Sequence, residues 1–202
     1  MKILAPLSLS FALAIASCNS VSQNVDWVDY GADPMQNPQY MQDMMAAGAP
    51  GAEHKAMADR AGTWKVEGMM WMAPDTEAMP MTATAKTEAI LGGRFLVEEF
   101  KSSFMGEPFE GRLIQGYDNL TNEHWTVWTD NMSTGCYISR GTETKPGHVE
   151  FHGTAADILT PEGRPTRMTT TDNGDGTYTM MMFDTRKDSG EFKVMELHYS
   201  RG

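Results

Sequence analysis

Cysteine is almost absent: Cys18 and Cys136 are the only two in 202 residues. That excludes a disulfide-stapled scaffold. Positive charge is scarce too, with Lys+Arg 16 against Asp+Glu 27 and a formal net charge of −11. A surface this acidic repels phosphates, so nucleic acid and anionic headgroups are not expected as partners recognised by charge. The one sustained apolar run, Ile3 to Ala16, is shorter than the roughly 20 residues a spanning helix needs. Catalytic signatures are missing as well: there is no G-x-S-x-G elbow, C-x-x-C, H-E-x-x-H or glycine-rich phosphate loop. No enzymatic activity and no cofactor are therefore expected. What is present is an ordinary globular balance, 41% hydrophobic and 21% charged, with one excess: 18 methionines.

The N-terminus carries Lys2 and then the apolar run, which ends in small residues as a secretory segment does. Ile15-Ala16-Ser17-Cys18 resembles the bacterial lipobox. The resemblance implies removal of residues 1–17, lipidation of Cys18, and a protein anchored in the cell envelope. Asn19, where an aspartate is absent, implies the outer membrane, with the domain facing the periplasm. Several acyl chains on one residue give stable anchoring at about 0.8 kcal/mol per buried methylene. With Cys18 modified, Cys136 has no partner. Its setting, Gly135-Cys136-Tyr137-Ile138, predicts a small buried hydrophobe.

Residues 18–50 have the composition of a tether, with a short helix expected from Pro38 to Met45 and closed by Gly48. Met41, Met44 and Met45 fall on one face of it, as in a lid or collar on the domain. A second helical turn is expected over 52–60. From Gly62 the period changes to two. Strands are expected near 63–72, 81–90, 93–102, 109–117, 123–130, 135–142, 147–156, 165–172, 177–184 and 191–200. Asp172-Asn173-Gly174-Asp175-Gly176 and Ile90-Leu91-Gly92-Gly93-Arg94 read as hairpin turns. Ten short strands without intervening helices predict an all-β, antiparallel up-and-down barrel over residues 51–202, with a short helical segment before it.

Alternation assigns the faces. Trp64, Val66 and Met70 share one side, as do Val149, Phe151 and Ala155, and Met195, Leu197, Tyr199 and Arg201. The opposite side takes His148, Glu150 and His152, and also Glu196, His198 and Ser200.

Gly62-Thr63-Trp64 at the start of the first strand and Arg201 at the end of the last resemble the lipocalin closure, in which a tryptophan packs beneath an arginine. A longer ordered string follows: Leu91-Gly92-Gly93-Arg94-Phe95-Leu96, Pro108-Phe109-Glu110-Gly111, Gly116-Tyr117-Asp118, Trp128-Thr129-Asp130 and His198-Tyr199-Ser200-Arg201. Together these resemble a bacterial lipocalin-like (calycin-type) domain family of unknown function, often exported or lipid-anchored. The resemblance implies a barrel and export, and brings no catalytic residues with it.

Five constellations bear on chemistry. His148-Val149-Glu150-Phe151-His152 puts two imidazoles and a carboxylate on one strand face, where a solvated exterior is the better reading than a metal site. Consecutive Met180, Met181 and Met182 alternate faces, so the methionines read as adaptable lining in preference to copper ligands. His198 opposes the parity of Leu197 and Tyr199, which places it outside and argues against haem ligation. Glu98 and Glu99 point to opposite faces and do not form a carboxylate pair. Arg94, Asp118 and Asp130 flank turns, and one of them, with Tyr117 or Trp125, is expected to give a polar contact at a pocket mouth. The leading expectation is a barrel binding a small apolar ligand, lined by Trp64, Val66, Met70, Phe95, Tyr117, Trp125, Met180, Met182 and Met195, with Arg201 at the closure. The alternatives are a filled barrel serving as an interaction module, or copper handling by Met and His.

Overall fold

The computed structural model describes residues 26–202. From Gly62 onward the chain forms ten strands: β1 (Gly62–Met70), β2 (Met79–Ile90), β3 (Phe95–Phe104), β4 (Glu107–Asp118), β5 (Glu123–Asp130), β6 (Tyr137–Lys145), β7 (His148–Ala155), β8 (Arg164–Asp172), β9 (Tyr178–Arg186) and β10 (Gly190–Arg201). Each strand pairs antiparallel with the next and β10 returns to β1, so the sheet closes into an up-and-down barrel. Closure leaves these strands no unpaired edge. The expected strands are all present, with ends displaced by only a few residues.

Turn chemistry sets the register. Between β8 and β9, Gly174 (φ 78°) and Gly176 (φ 84°) occupy the left-handed region, and the Asn173 N–H donates to the Thr177 carbonyl at 3.1 Å. Among the described residues two α-helices precede the barrel, α1 (Pro38–Ala47) and α2 (Ala52–Ala58). Asn37 caps α1, its side chain accepting from the Gln39 and Tyr40 N–H groups. Helix α1 is held by its C-terminal end: Arg94 Nε donates to the Gly48 carbonyl, and Asn119 Nδ2 to the carbonyls of Ala47 and Ala49. Met44 and Met45 stay exposed, so α1 covers no opening with its methionine face.

Helix α2 closes one end of the barrel. His54 and Met57 are buried there. The Gly51 N–H donates to His54 Nδ1, which leaves the proton on Nε2 for the Tyr117 carbonyl at 3.1 Å. The segment joining α2 to β1 is held by three side chains. Arg201 donates to the Asp59 and Ala61 carbonyls at 2.8 Å, while Trp64 Nε1 and Thr87 Oγ1 donate to the Arg60 carbonyl between them. The Arg201 guanidinium lies 4.0 Å from the Trp64 ring centroid. Cation–π attraction over a buried indole explains why that pair joins the first and last strands.

The other end is open, and its loops are apolar. Met72, Met105, Met132 and Ile158 stand exposed in the β1–β2, β3–β4, β5–β6 and β7–β8 connections. Cys136 lies in the third of these. It is exposed, which corrects the expectation of a buried thiol, because the inward alternation of β6 begins only at Tyr137.

Candidate functional site

The interior is not filled. A cavity of about 390 Å³ runs down from the open end, within the usual 300–1,000 Å³ of small-molecule sites. Its upper wall is thioether and aromatic: Met81, Met168, Met180, Met182 and Met195 with Phe109 and Trp128. Register explains the methionine row. Met168 faces Met182 across β8 and β9, Met182 faces Met195 across β9 and β10, and Met195 faces Met70 across β10 and β1. Flexible thioethers on adjacent strands make an apolar wall that adapts to shape. Trp128 reaches across Gly111, where any Cβ would fall 2.2 Å from its ring.

The floor is built from aromatic rings and one acid. Tyr178 stacks on Tyr199 at 4.1 Å, and Trp64 meets Tyr178 edge-on at 4.9 Å. Into this floor β3 directs Glu98, with Leu96 and Phe100 on the same face. Glu98 is 5% exposed. Burial pushes its carboxyl up to about 7, with the Arg60 charge and the Tyr178 and Tyr199 hydroxyls opposing that rise. Tyr178 donates to Glu98 Oε2 at 3.4 Å. Arg60 lies beside them, its guanidinium 5.6 Å from the Tyr178 ring and one nitrogen donating to Gln115 Oε1 at 3.3 Å. Gln115 Nε2 is buried without a partner.

A second recess of about 320 Å³ lies beneath α2, behind Tyr178 and Arg60. His124 borders it, 3.6 Å from Glu53 and with neither ring nitrogen hydrogen-bonded. Burial first, then the Arg60 charge, lowers its pKa to about 4, so the imidazole is neutral near pH 7.

Met180, Met182 and Met195 line the cavity as expected, and Trp64 and Val66 pack in the core against its floor. Tyr117 shares the inward parity but sits behind the floor, edge-on to His54 and His124 at 5.7 Å and 4.9 Å. Arg201 caps the closed end and does not reach the main cavity. Phe95 and Trp125 are corrections. They pack on each other at 5.7 Å on the outer face, with Trp125 lying over Gly116. Of the turn-flanking trio only Asp130 reaches the cavity, where it accepts from Trp128 Nε1. Arg94 and Asp118 stand at the opposite end, where Asp118 caps its own turn through the Leu120 N–H.

The outer-face assignments stand. His152 pairs with Glu150, Glu150 also meets Arg167, and His148 is bonded to Thr171. His198 is exposed, between Glu196 and Thr179. Among the described residues no group of three His, Cys, Asp or Glu side chains is placed to hold a metal. Sequence reading missed Glu98, Arg60 and Gln115. A signal for the first existed, since a glutamate between Leu96 and Phe100 sits on the apolar parity of its strand.

No curated protein matches the chain in sequence. Among solved structures, the crystal structure of Rv2717c from M. tuberculosis shares the fold at TM-score 0.55 and 12% identity, covering 76% of this chain and 99% of that one. At that identity the likeness concerns architecture alone. The family model described as "Protein of unknown function (DUF1579)" matches residues 49–201, which takes in α2 and the whole barrel, and the chain belongs to that family.

Proposed function

We propose that the barrel binds a small, largely apolar molecule that enters through the open end and is held against the methionine wall. The observation that carries this reading is the cavity of about 390 Å³, lined by thioether and aromatic side chains and reached past an apolar rim. Burial of apolar surface drives such binding at about 25 cal/mol per Å². An unfilled interior favours binding over the interaction-module alternative. Titration of the purified protein with diphenylhexatriene tests the reading. One saturable site is expected, displaced by decanol and weakened about tenfold or more in Met180→Trp or Leu113→Trp, where an indole occupies the cavity. A dye that binds wild type and both variants equally is outside the barrel, and the reading fails.

The same proposal places the barrel on a membrane of the cell envelope through lipid on Cys18, with the outer membrane favoured by Asn19. Its support is the Ile15-Ala16-Ser17-Cys18 sequence, which lies outside the described residues. Radiolabelled palmitate should enter the wild-type protein and not Cys18→Ala. Equal labelling of both would remove the anchor.

A further inference from the structure

The cavity floor holds more hydrogen-bond donors than acceptors. Arg60 has five N–H groups and, among the described residues, one side-chain partner, Gln115 Oε1. Gln115 is 4% exposed, and its Nε2 has no partner. The Tyr178 and Tyr199 hydroxyls turn toward the same place, where Glu98 is the one acid. Arg164, at the start of β8, is different in kind. It grips Asp184 with two nitrogens at 2.6 and 2.7 Å and Asp157 with a third at 2.7 Å. Among the described residues Arg60 has no such carboxylate grip, and its backbone is held in place where Trp64 and Thr87 donate to its carbonyl.

We propose that the floor takes the carboxylate of an otherwise apolar acid onto Arg60 and Gln115, and that Glu98 holds a proton while the acid is bound. This names the head group of the ligand proposed above and rests on that reading. The balance is simple: the acid arrives as its anion, one proton from water goes to Glu98, and no bond to carbon changes. Two carboxylates in one apolar floor cannot both stay charged beside a single guanidinium, so the second anion raises the proton affinity of the first. The geometry suits this. Glu98 is faced by Arg60 from the α2–β1 segment, Tyr178 from β9 and Tyr199 from β10. The strands flanking it place Thr87 and Leu113 opposite, neither of which titrates. A protonated Glu98 becomes a donor and joins the others around the incoming oxygens.

Calorimetric titration of the protein with decanoate, decanol and decylamine tests the proposal. Near pH 6 decanoate is expected to bind about tenfold more tightly than decanol, with decylamine weakest. Between pH 6 and pH 8.5 decanoate affinity should fall about tenfold or more, while decanol affinity holds within about twofold. Glu98→Gln should bind decanoate at every pH as the wild type does near pH 6. Arg60→Gln should weaken decanoate about tenfold and leave decanol unchanged, which also shows that the barrel is intact. Equal binding of decanoate and decanol, tightest binding of decylamine, or a flat pH profile for decanoate in the wild type each overturns the acid proposal and leaves the apolar cavity standing. No binding by any of the three removes the ligand-binding reading itself.

Discussion

Trp64→Ala lowers the unfolding free energy by about 3–5 kcal/mol in urea titration, the range for truncating a fully buried large aromatic. The side chain is 2% exposed and contacts both floor tyrosines. Its loss should sit at the upper end of that range, because more than a cavity is created. The indole N–H that holds the Arg60 carbonyl goes with it, and so does the surface on which Arg201 rests. Trp64→Phe keeps a ring beneath the guanidinium and loses the N–H, so it should cost less than half as much. If Trp64→Ala unfolds within about 1 kcal/mol of wild type, the Trp64 contacts are not what holds the floor together.

The pH dependence of stability carries the second large effect. Glu98 binds its proton more tightly folded, near pH 7, than unfolded, near 4.5. The folded state therefore holds the extra proton between those values, and stability falls by about 3 kcal/mol as pH rises through that window. His124 does the reverse. Its folded value near 4 lies below the ordinary 6.5, so stability falls by about 3 kcal/mol as pH drops from 6.5 to 4. Between pH 4.5 and 6.5 the two slopes oppose each other at about 1.4 kcal/mol per pH unit each, and their contributions cancel. Single variants expose what the pair conceals. Relative to wild type, Glu98→Gln gains stability with rising pH from 4.5 to 7, and His124→Phe gains it with falling pH from 6.5 to 4. Urea titrations at pH 4.5, 5.5, 6.5 and 7.5 measure both differences. Curves running parallel to wild type would mean that neither group is buried as charged chemistry requires.

The barrel was legible because period-two alternation survives every turn, and because Asn-Gly and Gly-Gly pairs mark where direction reverses. The interior was legible on strands whose inward face is apolar, as with Met195, Leu197 and Tyr199. It was misleading on β5. There the inward residues are His124, Thr126 and Trp128, while Trp125 and Val127 supply an apolar outer face. An apolar-inside rule selects the wrong side of such a strand, and that is how Trp125 entered the expected lining. Phe95 followed for the same reason: its ring covers the outer surface beside Gly116, which has no side chain of its own. Arg60 carried no signal at all, since its place depends on three carbonyls being held by strands far away in sequence. The floor chemistry belongs to tertiary structure, and Glu98 alone announced it.

The junction of β1 with β10 has a mechanical side. The barrel's chain begins and ends at one point of the closed end, where the Gly202 N–H reaches the Thr63 carbonyl at 3.0 Å. Helix α1, upstream, is fastened to that same end by Arg94 and Asn119. The mouth lies a strand away, about 30 Å along the axis for the twelve residues of β10 at the usual tilt of a closed barrel. If Cys18 carries lipid as proposed, the attachment therefore enters the barrel at its closed end, and the mouth faces away from that attachment.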